Sequence, residues 1–346
     1  LIRIAIETEA EGLIATTVAF ETFWRFAAER MAMFYRRMTD SCGPWTQDPI
    51  LRAYRFTNVY RATDRVSQYL IREVQYRGDR SQEPSEVFFR TLLFKIFNKI
   101  ETWDALEAAH GTITWRSVDL ESIDQSLTRI WERGDRIYSA AYIMANPPFG
   151  HERKHSNHLA LLHRMMEDRL PDRLRQAPDL QTVYERLLSY PGLGRFLAFQ
   201  YTIDLNYSSL LDFDEADFVV AGPGALDGIS KCFVSPSMNP EEIIRWVTER
   251  QELEFSSRGL AFEGLFGRLL QPIDCQNLFC EISKYTRVAH PEIVGVAQRT
   301  RIKQGYKKDS RKLGPLAFPP KWGIKPSTPI SLRPVAGTMD RQFALV

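Results

Sequence analysis

The chain has little cysteine: Cys42, Cys232, Cys275 and Cys280 are the only four in 346 residues. That argues against a disulfide-stapled scaffold and favours a reducing compartment. Long apolar runs are missing as well. The longest, such as residues 140–144, fall far short of the roughly 20 residues that span a bilayer. Residues 1–6 lack the charged-then-apolar layout of a signal peptide. No repeat is visible at solenoid periods. No Gly-x-x-x-x-Gly-Lys-Ser/Thr occurs, so a P-loop kinase is not expected from this chain. What remains is a soluble, intracellular protein with no membrane partner.

What is present is ordinary globular composition: 44% hydrophobic, 25% charged and 12% aromatic residues, enough apolar mass for a sizeable core. The net charge of +2 hides an asymmetry. From Arg301 onward there are ten Lys/Arg against two Asp, which leaves the first 300 residues six negative. The basic excess is punctuated by Pro315, Pro319, Pro320, Pro326, Pro329 and Pro334. Residues 301–346 therefore read as an extended basic tail, able to track a polyanion or to lie on the acidic body.

The dominant period is helical. Phe20, Phe23, Trp24, Ala27, Met31, Phe34, Tyr35 and Met38 recur at steps of three and four, with Thr16 or Thr17 placed to cap the helix they define. Asp48-Pro49 reads as the opening of a long helix to about Gln75. Further helices are expected from Ser85 to about Ala109, from Asp119 to Met144 with a break near Gly134, over 155–170, over 180–188, and from Arg195 to Leu205. Strand signals are confined to 112–115 and 218–221. The fold class expected is all-α, with residues 15–300 forming one helical domain of one or two lobes.

The sharpest local motif is Tyr190-Pro191-Gly192-Leu193-Gly194-Arg195 between two helical stretches. Two glycines allow a tight turn, and its amides with the following helix N-terminus suit a DNA phosphate, which is the layout of a helix-hairpin-helix. Pro191, Gly192, Gly194 and Arg195 are the candidate DNA-binding residues; the plain alternative is a structural αα-turn. In DNA glycosylases that use such a hairpin, an Asp follows some twenty residues on, and Asp217 resembles it. Phe196 stands where bifunctional members carry a nucleophilic Lys, which disfavours lyase chemistry. Gly222-Pro223-Gly224 feeds a helix N-terminus with Lys231 two turns on, an anion cradle or a structural turn. His151, His155 and His158 share a helical face beside Arg153 and Lys154, which reads as solvated histidines; no metal is expected. Asn98 and Lys99 interrupt a very hydrophobic helix. Asp274, Asn277, Glu281 and Lys284 fall on one side of another.

Taken together, several segments resemble a known family. Phe23-Trp24-Arg25-Phe26, Tyr54-Arg55-Phe56-Thr57-Asn58-Val59-Tyr60-Arg61, Arg65-Val66-Ser67-Gln68-Tyr69-Leu70, Phe97-Asn98-Lys99-Ile100, Ile203-Asp204-Leu205-Asn206-Tyr207, Gly222-Pro223-Gly224-Ala225 and Gln276-Asn277-Leu278-Phe279-Cys280-Glu281 look like the α-glutamyl/putrescinyl-thymine pyrophosphorylase superfamily. That group is also described as the helical domain of 5-hydroxymethyl-deoxyuridine DNA kinases. The resemblance implies a DNA-glycosylase-like helical fold and a transferase that flips a modified base out of double-stranded DNA. An amine or amino acid would then displace (pyro)phosphate from the base. A glycosylase-like hydrolase and a non-catalytic reader of modified DNA are the alternatives. It further implies Asp217, Lys99, Asn98, Asp274 and Lys284 as catalytic candidates. Gly222, Gly224, Lys231, Gln276, Arg287 and Arg61 would hold substrate or phosphate, and no cofactor is expected. DNA as partner would place the protein in a nucleus, or in bacterial cytoplasm.

Overall fold

The computed structural model describes residues 4–6, 14–40, 42–308 and 314–326. Among them are two short strands, β1 (Ile4–Ile6) and β2 (Ile14–Thr16), paired antiparallel. Fourteen α-helices follow: α1 (Val18–Thr39), α2 (Pro49–Ala53), α3 (Arg65–Tyr69), α4 (Pro84–Phe97), α5 (Ile100–His110), α6 (Leu120–Glu132) and α7 (Lys154–Glu167), then α8 (Leu170–Arg175), α9 (Leu180–Leu188), α10 (Arg195–Asn206), α11 (Pro223–Cys232), α12 (Pro240–Glu249), α13 (Gln251–Ser257) and α14 (Pro272–Ala289). The fold is all-α. No described helix is long and apolar enough to cross a membrane. The described residues divide into two compact units: those within 1–61, 221–315 and 324–326, and those within 62–220 and 316–323.

In the first unit α1 is built as its spacing dictates. Thr17 accepts the Ala19 amide at 3.1 Å, and Phe20, Phe23, Trp24, Ala27, Met31 and Tyr35 are buried. The helix packs on α11 and α14, with the Phe23 and Phe279 rings 4.7 Å apart. α11 and α14 approach so closely that a side chain on Gly228 would run into the Phe279 backbone, and one on Gly224 into the Cys280 sulfur. Gly228→Ala is therefore expected to destabilise the protein by about 1–3 kcal/mol despite alanine's better helix propensity. Urea unfolding midpoints measure it; an unchanged midpoint would mean the helices can part without cost.

The long helix expected from Asp48 does not form. α2 ends at Ala53 because the next residues bond elsewhere: Arg55 N–H donates to Gln304 O at 3.0 Å and Tyr306 N–H to Ala53 O at 2.9 Å. Residues 301–308 thus run alongside 53–55.

The second unit is organised around α4, which is buried nearly all round and packs against α5, α7, α8 and α10. Each buried polar residue on it has a partner. Glu86 accepts the Trp115 and Arg116 amides at 2.6 and 3.1 Å, which holds 112–116 as a bound turn where a strand was expected. Arg90 donates to Val74 O and Gln75 O at 2.6 and 2.9 Å and so caps a π-helical turn, Leu70–Gln75. Burial lowers the Arg90 guanidinium to about 10. Asn98 takes the left-handed conformation at φ 48° and ends α4, splitting the helix expected over 85–109 into two. α6 stops at Glu132, before Gly134 at φ 83°, and 133–153 is irregular. Residues 218–221, the other strand expectation, have no ladder partner among the described residues.

Candidate functional site

The α9–α10 turn lies in the second unit. Asp179 caps α9 through the Thr182 amide at 2.7 Å, and Leu180, Val183, Tyr184 and Leu187 bury its inner face. The turn needs glycine once: Gly192 has φ 85°, with Pro147 Cβ 3.3 Å from where its own Cβ would be. Gly194 is the N-cap of α10, carries no side-chain cap, and faces open space. Pro191, Gly194 and Arg195 are exposed. The first amides of α10 are accordingly not covered by a capping side chain, which is the local chemistry an anionic oxygen needs. Phe196, one residue on, lies parallel to Tyr142 with ring centroids 5.8 Å apart.

Beside that ring pair is a buried charge pair that sequence reading passed over. Lys95 Nζ stands 3.2 Å from Asp204 Oδ2, donates to Asn98 Oδ1 at 2.7 Å, and lies 4.8 Å from the Tyr142 ring centroid. Asn98 completes the set by donating to Ser139 Oγ at 3.2 Å. The available signal was a lone Lys in Phe94-Lys95-Ile96-Phe97, three residues before Asn98; its partner on α10 carries no local signature. Lys99 is half-buried as the N-cap of α5. Asp217 is exposed in a turn where its amide meets Asp214 O at 3.4 Å.

In the first unit, the polar face of α14 grips residues 57–61. Asp274 Oδ1 accepts the Arg61 amide at 3.1 Å while Oδ2 accepts the Gln271 amide at 3.1 Å. Asn277 Nδ2 donates to Asn58 O at 3.0 Å. Glu281 accepts the Thr57 amide at 3.1 Å and pairs with Lys284 at 2.6 Å. The Lys284 ammonium also lies 5.2 Å from the Phe56 ring centroid. Arg61 and Gln276 are each 2% exposed. Arg287 reaches Ser283 Oγ at 3.2 Å and Arg301 O at 3.1 Å, and burial lowers its guanidinium.

Gly222 is the buried N-cap of α11 and Gly224 lies in its first turn. Lys231 is buried on the same helix. It donates to Ser283 O at 2.9 Å and lies 3.5 Å from Asp227. Burial lowers the Lys231 ammonium. Burial also pushes the Asp227 carboxyl up, but the Ser283 hydroxyl, the Ala297 amide and Lys231 outweigh it and hold it below its ordinary range.

The histidine face is structural in two of three positions. His155 bonds Thr128 Oγ1 at 3.0 Å; His158 sits between Tyr138 OH and Ala145 O, both at 2.8 Å; His151 is exposed. Among the described residues no three His, Cys, Asp or Glu are grouped to hold a metal. Burial pushes His158 down to about 4. Its folded value lies below the unfolded one near 6.5, so its neutral form stabilises fully above pH 6.5, and that stability is lost as pH falls toward 4. The expected loss is roughly 3 kcal/mol. Urea unfolding at pH 7 and pH 4 measures it, and His158→Gln should flatten the difference; an equal slope in the variant would assign the effect elsewhere.

Comparison with known proteins adds the family. The 5-hmdU DNA kinase of Bacillus phage SP10 is 26% identical over 280 residues, which cover 74% of this chain and 43% of that protein. This chain therefore spans less than half the length of that relative. No solved structure matches it. Residues 17–295, which take in α1 through α14, match the family described as "5-hmdU DNA kinase, helical domain"; the chain belongs to that family.

Proposed function

We propose that this chain is the DNA-engaging helical part of an enzyme that modifies 5-hydroxymethyluracil in double-stranded DNA. The observation that carries the reading is the family match over residues 17–295. The α9–α10 turn supports it as a helix-hairpin-helix: Gly192 turns the chain, and the α10 amides with Arg195 meet a backbone phosphate. Such contacts position the protein without reading sequence. A base inside a duplex is out of reach, so the target flips out to be modified.

The reaction we assign is a transfer. The amine lone pair attacks the base's methylene carbon, the carbon–oxygen bond to pyrophosphate breaks, and its electron pair leaves with the pyrophosphate. A carboxylate takes the proton released from nitrogen. Asp217 suits that role because it is exposed, whereas both oxygens of Asp274 are engaged by backbone amides. Lys99, partly exposed and in the same unit as Asp217, is the cation offered to the leaving group. Asn98, buried with its amide group engaged by Lys95 and Ser139, supports α4 and does not reach the base.

Binding tests the first half of the reading. A duplex with 2-aminopurine next to 5-hydroxymethyluracil should brighten on addition of the protein, as unstacking relieves quenching. An identical duplex bearing thymine should bind through the same phosphates with a smaller rise. No binding to either duplex would overturn the assignment.

A further inference from the structure

Residues 316–323 lie beyond the stretch matched by the family and are docked in the second unit. Gln68 holds Ala317 by both backbone groups, its Nε2 donating to Ala317 O and its Oε1 accepting the Ala317 amide, each at 2.9 Å. Trp322 donates through Nε1 to Glu215 at 3.0 Å, and its ring meets Tyr207 edge-on at 5.3 Å. Between these anchors Lys321 aims its ammonium at three oxygens: Asn206 Oδ1 at 3.1 Å, Leu211 O at 3.0 Å and Asp212 Oδ1 at 3.6 Å.

Two hydrogen-bond acceptors and a carboxylate 3.6 Å away suit a primary ammonium, which brings both N–H donors and a positive charge. Asn206 is wholly buried, and its amide group is fixed from both sides: Nδ2 donates to Phe213 O at 3.0 Å and Oδ1 accepts the Phe213 amide at 3.1 Å. Its oxygen therefore points at the ammonium whether or not Lys321 is there. The Asp212 side chain is 88% exposed and supplies negative charge from the solvent side. A quaternary ammonium has no hydrogen to give such a cradle, and an alcohol has one and no charge.

We propose that Asn206, the Leu211 carbonyl and Asp212 form a binding site for a primary alkylammonium ligand, which Lys321 occupies as a tethered stand-in. The site deepens the transferase reading, on which it rests for the purpose of the ligand but not for its binding. A tethered occupant competes at an effective concentration in the millimolar range, so the intact protein takes up a free amine only as residues 316–323 lift away.

The full chain carrying Lys321→Ala lacks a propylammonium-sized piece, and n-propylammonium is the probe. At matched ionic strength it should raise the melting temperature of Lys321→Ala with an apparent Kd about tenfold or more below that for the unaltered protein. Propanol and tetramethylammonium should have no such effect. Adding Asp212→Asn should weaken propylammonium by about threefold, as expected for an exposed partner. Should Lys321→Ala fail to fold, the unaltered protein gives the answer by hydrogen exchange: propylammonium, and not propanol, should speed exchange around Ala317. Equal response to amine and alcohol in either experiment would overturn the site. Selective amine binding without any aminated nucleoside would leave the site standing and remove the transferase reading. Aminated product with no selective binding would do the reverse.

Discussion

Asp217→Asn is expected to slow base modification by about a hundred- to ten-thousand-fold while leaving duplex affinity unchanged. The amide is nearly isosteric with the carboxylate but cannot take the proton an amine must lose on attacking carbon. Asp217 is exposed and its backbone, not its carboxylate, makes the turn contact to Asp214, so the variant should fold normally. Asp274→Asn makes the contrast. That carboxylate is 4% exposed and accepts two backbone amides, so its loss should register as lowered stability. Single-turnover rates and urea midpoints for both variants separate the roles. A stable Asp217→Asn protein with an undiminished rate would remove Asp217 from the chemistry.

Gly192→Val is expected to weaken duplex binding by about tenfold or more, to the same degree for modified and unmodified DNA. The residue sits at φ 85° with Pro147 close by, and a β-branched side chain there costs of order 1–3 kcal/mol in backbone strain. The turn should relax and carry the α10 amides away from the phosphate. Arg195→Ala, which leaves the turn intact, should lower the slope of log affinity against log salt by about 0.9. Fluorescence anisotropy across a salt series reads both. A Gly192→Val protein that binds thymine duplexes normally but discriminates less would mean the turn reads the base, contrary to a phosphate-docking role.

Much of the secondary structure was legible where the determinants are local. α9 is readable to both ends: Asp179 caps it, four apolar residues repeat at helical spacing, and Pro191-Gly192 follows its close. The α14 face was likewise visible, because Asp274, Asn277, Glu281 and Lys284 repeat at three and four. What they grip was not. Residues 54–61 read as more helix because the bonds that hold them extended come from Gln304 and from α14, far along the chain. The π-helical turn at Leu70–Gln75 depends on Arg90 reaching back from α4. Lys95 and Asp204 are joined only when α4 packs on α10.

The C-terminal stretch shows the same limit. Its lysines and prolines suggest an extended tail that tracks a polyanion or lies on the body, but composition cannot foretell that Gln68, Asn206 and Tyr207 are what residues 317–322 rest on. Residues 327–346, counted in the same basic tail, lie outside the described residues.

The central claim is chemical, and nucleoside mass spectrometry tests it most directly. Duplex DNA carrying 5-(pyrophosphooxymethyl)uracil would be incubated with the protein and an isotopically labelled primary amine, then digested to nucleosides. The account predicts a nucleoside in which the labelled amine has replaced pyrophosphate on the methylene carbon, with one pyrophosphate released per amine incorporated. Recovery of the starting nucleoside alone, from protein that binds the duplex, would contradict it.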